Sequence, residues 1–144
     1  MQTNFARFVV RLPVWVAAAW AMGLTCLGAF VVPMLFASLP SKALAGAMAG
    51  QLFAVQTWIS VVLAMVLLLL TRHESAQSRI PGHYVVSVLA GILLALLVEF
   101  GVSPHIRAHE NLGLWHPLGS AMYVAQWLCA MWAFACTLSN QPAP

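Results

Sequence analysis

The sequence predicts an all-α integral membrane protein, a four-helix bundle with a short N-terminal segment at the membrane interface. Only nine of the 144 residues are Lys, Arg, Asp or Glu, whereas 62% are hydrophobic. A soluble domain carries nearer a quarter of charged residues. The apolar residues form long unbroken stretches, and in hydrocarbon such a stretch must be a helix because its backbone polar groups have to pair within the segment.

One membrane domain spanning residues 1–144 is predicted, and its connections are too short for a soluble domain. Each of its apolar stretches reaches or approaches the ~20 residues that cross a bilayer. The predicted helices cover residues 13–39, 43–71, 84–102 and 117–138.

Proline and serine mark the ends of the first two helices. The residues before Pro13 include Arg7 and Arg11 among apolar side chains, a pattern typical of an interfacial segment. Pro13 itself suits the start of a helix. Pro33 predicts a kink late in the first helix, and Ser41 is placed to cap the second.

Small residues open the second helix. Gly46 and Gly50 form a small-xxx-small pair, which lets another helix approach closely. This pair predicts a helix-packing face and a possible homo-oligomer. The third helix is rich in leucine, the fourth is expected to begin at Pro117, and residues 139–144, with two prolines, are expected to be a disordered tail.

The distribution of basic residues predicts the orientation. Four of them flank the side that holds both termini: Arg7, Arg11, Arg72 and Arg79. Lys42 and Arg107 flank the other side. Cytoplasmic flanks carry the excess of Lys and Arg, so both termini are expected in the cytoplasm and the protein in the inner membrane. A net charge of +3 is too small to imply a nucleic-acid partner.

A polar pocket on the outer side is the first candidate site. Glu99 is the one acidic residue inside a predicted helix, where a charge costs about 2.5–3.5 kcal/mol to insert. The alternative for Glu99 is a buried hydrogen bond or a position at the membrane interface. For Gln51 and Gln126 the alternative is interhelical hydrogen bonding. The candidate ligand-binding residues are Gln51, Glu99, Arg107, His116 and Gln126.

Histidines in the third connection form a second candidate site. If that connection is helical, His105 and His109 share a face, and His116 falls close to it, which is a spacing compatible with a metal ion. Gly113 and Pro117 argue against one unbroken helix there. The alternatives are that these are ordinary interfacial polar residues, or that Arg107 or His116 pairs with Glu99 in a site without metal. No other cofactor is predicted. The sequence has no phosphate-binding glycine loop, nucleophile elbow or HExxH motif, so no catalytic residue is assigned and an enzyme is not favoured.

Several motifs together resemble a known family. Trp15 opens the stretch W-V-A-A-A-W-A-M-G, the first helix ends in V-V-P-M-L-F-A-S-L-P, and the third connection contains P-H-I-R and then W-H-P-L-G-S. This arrangement resembles the bacterial branch of the transmembrane protein 205-like family, a domain of unknown function with four helices. The matching positions are Pro33, Phe36, Gly46, Gly50, Pro104, Arg107, His116 and Ser120.

The resemblance implies a small helical membrane protein whose role in bacteria is not established. A eukaryotic relative is associated with resistance to platinum drugs, which implies transport or trafficking. Three hypotheses remain open: a transport-related or solute-binding protein that uses the outer pocket, an accessory or scaffold protein for other membrane proteins, and a metal or redox protein that uses the histidines.

Overall fold

The structure is a computed structural model that describes residues 2–74 and 82–139, with side chains described for 11–71 and 82–139. Helices dominate this part of the chain, and no strand occurs in it, which confirms the predicted fold class. In order, the elements are α1 (Gln2–Thr25), a π-helical segment (Cys26–Val31), α2 (Val32–Ser38), α3 (Lys42–Glu74), α4 (Gly82–Leu97), a second π-helical segment (Val98–Val102), α5 (Ser103–Arg107) and α6 (Leu112–Ser139).

Four stretches within these elements are long and apolar enough to cross a membrane. They are span 1 (Arg11–Ser38), span 2 (Lys42–Thr71), span 3 (Gly82–Arg107) and span 4 (Leu112–Ser139). These four stretches identify the chain as a multi-pass membrane protein. The outer side is the side that the charges predict to lie outside, and spans 1 and 3 end there.

Several helix ends differ from the positions expected from the sequence. Helix α1 runs from Gln2 through Pro13, so the N-terminal segment and the first span form one helix. Span 3 continues through Pro104, which is tolerated because it occupies the first turn of α5. Helix α6 begins at Leu112, ahead of Pro117. Residues 140–144 of the predicted tail lie outside the described residues.

Two π-helical segments interrupt the spans, and each ends two residues before a proline. The first π turn (Cys26–Val31) precedes Pro33, and the second (Val98–Val102) precedes Pro104. Proline lacks an amide hydrogen and its ring collides with the carbonyl four residues earlier in a regular helix. A wider turn moves that carbonyl aside. The kink expected at Pro33 is thus accommodated by a π turn followed by further helix.

The four spans pack as a bundle in which spans 1 and 3 each contact both spans 2 and 4. Helix α1 packs against α3 and α6, and α4 packs against the same two helices. The buried core consists largely of small and aliphatic residues around one tryptophan: Ala17, Trp20, Ala21, Leu24, Ala64, Leu67, Tyr84, Val88, Ala130 and Ala133. Most of these lie nearer the ends of their spans that are opposite the outer side.

Trp20 is the largest fully buried side chain and lies across the bundle from Gly91. A Cβ atom at position 91 would lie 2.6 Å from Cη2 of Trp20, so only glycine leaves room for the indole ring. The indole Nε1 has no hydrogen-bond partner among the described residues. The ring is therefore held by shape rather than by a polar contact.

Replacing Gly91 with alanine should destabilise the bundle by about 1–3 kcal/mol, because the new methyl group overpacks a rigid core. The better helix propensity of alanine would offset up to ~1 kcal/mol of this loss. Thermal unfolding in detergent measures the difference as a lower Tm. Gly101→Ala is the matched control, since no atom lies within 4 Å of a Cβ atom there. Equal Tm values for both variants would contradict the role assigned to Gly91.

Candidate functional site

An ion pair lies at the outer end of span 3. Arg107 Nη2 donates to Glu99 Oε1 at 2.6 Å. Glu99 lies in the second π turn and its side chain is 14% exposed, whereas Arg107 ends α5 and is 56% exposed. The guanidinium neutralises a carboxylate that would otherwise be costly inside a membrane helix. Because Arg107 has five N–H donors, it keeps donors available to other groups.

The connection after α5 forms a second polar cluster. His105 stacks on Trp115 with ring centroids 4.1 Å apart and an interplanar angle of 7°. The Nδ1 atom of His105 lies 2.6 Å from Glu110 Oε2. His109 and Asn111 adopt positive φ angles of 57° and 35°, which reverse the chain between α5 and α6. Together these contacts fix the outer end of span 3 against the start of span 4.

The three histidines of the metal hypothesis do not form a ligand set. Helix α5 ends at Arg107, and His109 lies in the turn that follows, so His105 and His109 do not share a helix face. His105 is instead paired with Glu110. Within the described residues, no three His, Cys, Asp or Glu side chains come close enough together to hold a metal ion.

Gln126 is buried midway along α6 rather than in the outer pocket predicted for it. Its Nε2 donates to Ser60 Oγ at 3.1 Å, and Gln56 Nε2 donates to the same oxygen at 3.4 Å. Ser60 is fully buried, while Gln126 and Gln56 are 3% and 9% exposed. These three residues form the mid-membrane cluster, which joins spans 2 and 4 by hydrogen bonds.

The remaining predicted site residues lie apart from the ion pair. Gln51 is exposed on α3, and His116 is exposed near the start of α6. In the described part of the chain, no hydrogen bond or ion pair joins either side chain to Glu99 or Arg107. The structure therefore brings together two of the five predicted residues.

The glycines of the predicted packing face point away from the bundle. No atom lies within 4 Å of a Cβ atom built at Gly46 or Gly50, so neither glycine is needed for contacts inside one copy of the chain. The buried side of this part of α3 is formed by Ala45 and Ala49 instead.

Tyr123 contacts the last turn of α1 and packs beside Gly28 of the first π turn. Its hydroxyl donates to the Leu24 carbonyl at 2.7 Å. Position 28 requires glycine, because a Cβ atom there would lie 2.8 Å from Tyr123 Cε1. Trp127 adds a second contact, from Nε1 to Thr25 Oγ1 at 2.8 Å.

No pattern in the sequence marks Tyr123, Ser60 or Trp127 as structurally important. The need for glycine at position 28 depends on Tyr123, a residue almost a hundred positions later in the chain. Local sequence patterns carry no signal for such a contact.

A family model for a domain of unknown function (DUF4149) matches residues 15–114. The chain belongs to this family. The match runs from Trp15 in span 1 through spans 2 and 3 to the start of α6, and thus includes both π turns, Glu99 and Arg107. It supports a domain of unknown function, whereas nothing in it speaks for the transmembrane protein 205-like family in particular. No curated protein and no solved structure matches the chain significantly.

Replacing Ser60 with alanine should lower the stability of this DUF4149 protein by about 1–3 kcal/mol, because two buried amides lose their shared acceptor. Thermal unfolding in detergent is the measurement. Ser120→Ala serves as the control, since the Ser120 hydroxyl is exposed and donates to the His116 carbonyl of its own helix. A Ser60→Ala protein as stable as the Ser120→Ala protein would show that the mid-membrane cluster contributes nothing.

Proposed function

We propose that this protein is an inner-membrane, transport-related protein that binds a small anionic solute at the outer membrane boundary through Arg107. The observation that carries the proposal is the asymmetry of the ion pair: the Arg107 side chain is 56% exposed and its partner Glu99 only 14%. A carboxylate or phosphate from the outer side can therefore reach the guanidinium, while Glu99 occupies it from the buried side in the unbound protein.

Arg107 suits an anion for chemical reasons. Its planar guanidinium recognises carboxylates and phosphates through two parallel N–H donors. Glu99 occupies part of this donor set in the unbound protein at 2.6 Å. A bound anion would compete with Glu99, so the internal carboxylate would act as a placeholder that leaves when the solute arrives.

The packing of the bundle bears on how such a protein could move a solute. Trp20, Leu67 and Val88 are fully buried away from the outer end, and they belong to one core cluster. This supports binding at the outer end rather than a permanently open pore through one copy. Transport would then need either a change in conformation or an assembly of several copies.

Anion binding makes opposite predictions for the two members of the ion pair. Acetate, succinate and inorganic phosphate would be titrated against the purified protein, with thermal stabilisation as the measurement. Arg107→Gln should abolish the stabilisation, whereas Glu99→Gln should increase it at a given concentration because the guanidinium is freed. Both variants should still insert into the membrane.

Lys42→Gln is the matched control, since Lys42 is the other basic residue predicted on the outer side and is exposed. It should leave the anion response unchanged. The reverse pattern, in which Glu99→Gln abolishes a response to cations, would replace the anion hypothesis with a cation site. No response to any of the probes in a sensitive assay would remove the ion pair from consideration.

A second candidate function is that of an accessory protein bound to other membrane helices. It is favoured by the open face of α3 around Gly46 and Gly50, next to the exposed amide of Gln51. In hydrocarbon an exposed amide gains from a partner, and small residues allow close helix contact.

Gly50→Leu should then weaken association, because a large side chain would separate the two helices. Cross-linking in native membranes, followed by identification of the captured chains, is the measurement. Gly101→Leu is the control, since Gly101 is also open but lies on span 3. Capture of a second copy supports a homo-oligomer, capture of another protein supports the accessory function, and unchanged capture by Gly50→Leu contradicts both uses of this face.

A further inference from the structure

One face of α3 is turned away from the bundle along most of span 2. Val55, Trp58, Val62 and Leu69 follow one another at helical spacing on this face, and each is between 56% and 62% exposed. Gln51 lies on the same face toward the outer side and is also exposed. None of the hydrogen bonds between described residues involves its amide. Because hydrocarbon offers an amide no partner, the Gln51 side chain needs one from outside the bundle.

This face of α3 meets span 3 at a pair of aromatic rings. The rings of Trp58 and Phe100 lie 6.4 Å apart at an interplanar angle of 78°. Phe100 belongs to the second π turn and is 65% exposed, so both rings are open to the membrane. Helix α3 also contacts α5, which continues span 3 toward the outer side. The boundary between spans 2 and 3 at Trp58 and Phe100 is called the aromatic seam.

Two polar side chains flank the outer end of the aromatic seam. Arg107 lies seven residues beyond Phe100 on span 3, and its guanidinium is bonded to Glu99, the residue before Phe100. Gln51 lies seven residues before Trp58 on α3, which is two turns or ~10 Å nearer the outer side. Seven residues of an α-helix return to within about 20° of the same direction, so Gln51 faces the same way as Trp58. The surface therefore has an apolar part in the membrane and a polar part at its boundary.

We infer that the aromatic seam binds an anionic lipid, whose phosphate is held by Arg107 and Gln51 while one acyl chain lies along the two rings. The charges are complementary, because the Arg107 side chain is 56% exposed and Glu99 is bonded to one of its terminal nitrogens. The remaining N–H groups can donate to a phosphate. This inference rests on the proposed function, since it uses the same guanidinium, and it narrows the anion to the headgroup of a membrane lipid.

The position of Arg107 favours a lipid over an anion that comes from the water. Lipid phosphates lie just outside the ~30 Å hydrocarbon core, and Arg107 is the residue at which span 3 ends. A chain that stays in the membrane keeps its headgroup at this level, so the guanidinium meets it at a high effective concentration. A water-soluble anion makes no use of the aromatic seam. Both parts of the surface therefore fit one amphiphilic ligand.

Three probes separate headgroup, chain and charge in the full-length protein, purified in dodecyl maltoside. They are dioctanoyl phosphatidylglycerol, glycerophosphoglycerol, which is the same headgroup without chains, and dioctanoyl phosphatidylcholine, which has the same chains without net charge. Thermal stabilisation as a function of probe concentration is the measurement. The phosphatidylglycerol should reach half of its effect at a concentration roughly tenfold below that of glycerophosphoglycerol, and the phosphatidylcholine should have little effect.

Variants then assign these effects to the two parts of the surface. Arg107→Gln should abolish stabilisation by both anionic probes, and Gln51→Leu should weaken both responses. Trp58→Ala should weaken the response to phosphatidylglycerol roughly fivefold, because packing of the chain on the ring is lost, and should leave the response to glycerophosphoglycerol unchanged. Trp15→Ala is the matched control, since Trp15 is 61% exposed but lies on span 1. It should alter neither response.

The outcomes separate this inference from anion binding as such. If both anionic probes act at equal concentrations and Trp58→Ala changes nothing, the seam holds no chain, so the inference fails while the proposed function stands. If neither anionic probe stabilises the protein, or if Arg107→Gln responds as the unmodified chain does, both fail together. Equal stabilisation by phosphatidylcholine and phosphatidylglycerol would show contact with lipid chains alone, and it would overturn the inference as well.

Discussion

Pairing of backbone polar groups in hydrocarbon is the constraint on which the rest of this structure depends. A membrane offers no water to an unpaired carbonyl or amide, yet Pro33 and Pro104 each remove a donor from a spanning helix. The chain responds with a π turn before each proline. Just before the first π turn, the Tyr123 side chain from span 4 donates a hydrogen bond to the Leu24 carbonyl, which ties the region of the break to the packing of the bundle.

This constraint divides the molecule into two parts with different properties. Away from the outer side the spans are regular helices around Trp20, which fits against Gly91 with no room for a methyl group. Toward the outer side lie both π turns, the Glu99–Arg107 pair and the stacked His105. A closely packed part resists change, whereas a part held by a few polar contacts can adopt alternatives. Binding and motion are therefore expected at the outer side.

The sequence was sufficient to predict four membrane helices, because length and hydropathy decide that question within each segment. It was insufficient for Gln126, which was expected in an outer pocket and lies instead in a buried cluster with Ser60. Depth in the membrane is readable from position along a helix, but the direction of a side chain depends on how the helices rotate against one another.

The Glu99–Arg107 pair shows why the site itself was only partly predictable. In a straight helix, residues eight apart are separated by ~12 Å along the axis and by about 80° around it, which does not favour a contact. The second π turn and Pro104 change both values between these two residues, and the contact closes at 2.6 Å. The Glu99 carboxylate, which is costly inside a membrane helix, is thus neutralised by Arg107 across the same π turn that Pro104 requires. The Glu99–Arg107 pair and the second π turn both depend on Pro104, so a change at Pro104 would alter both.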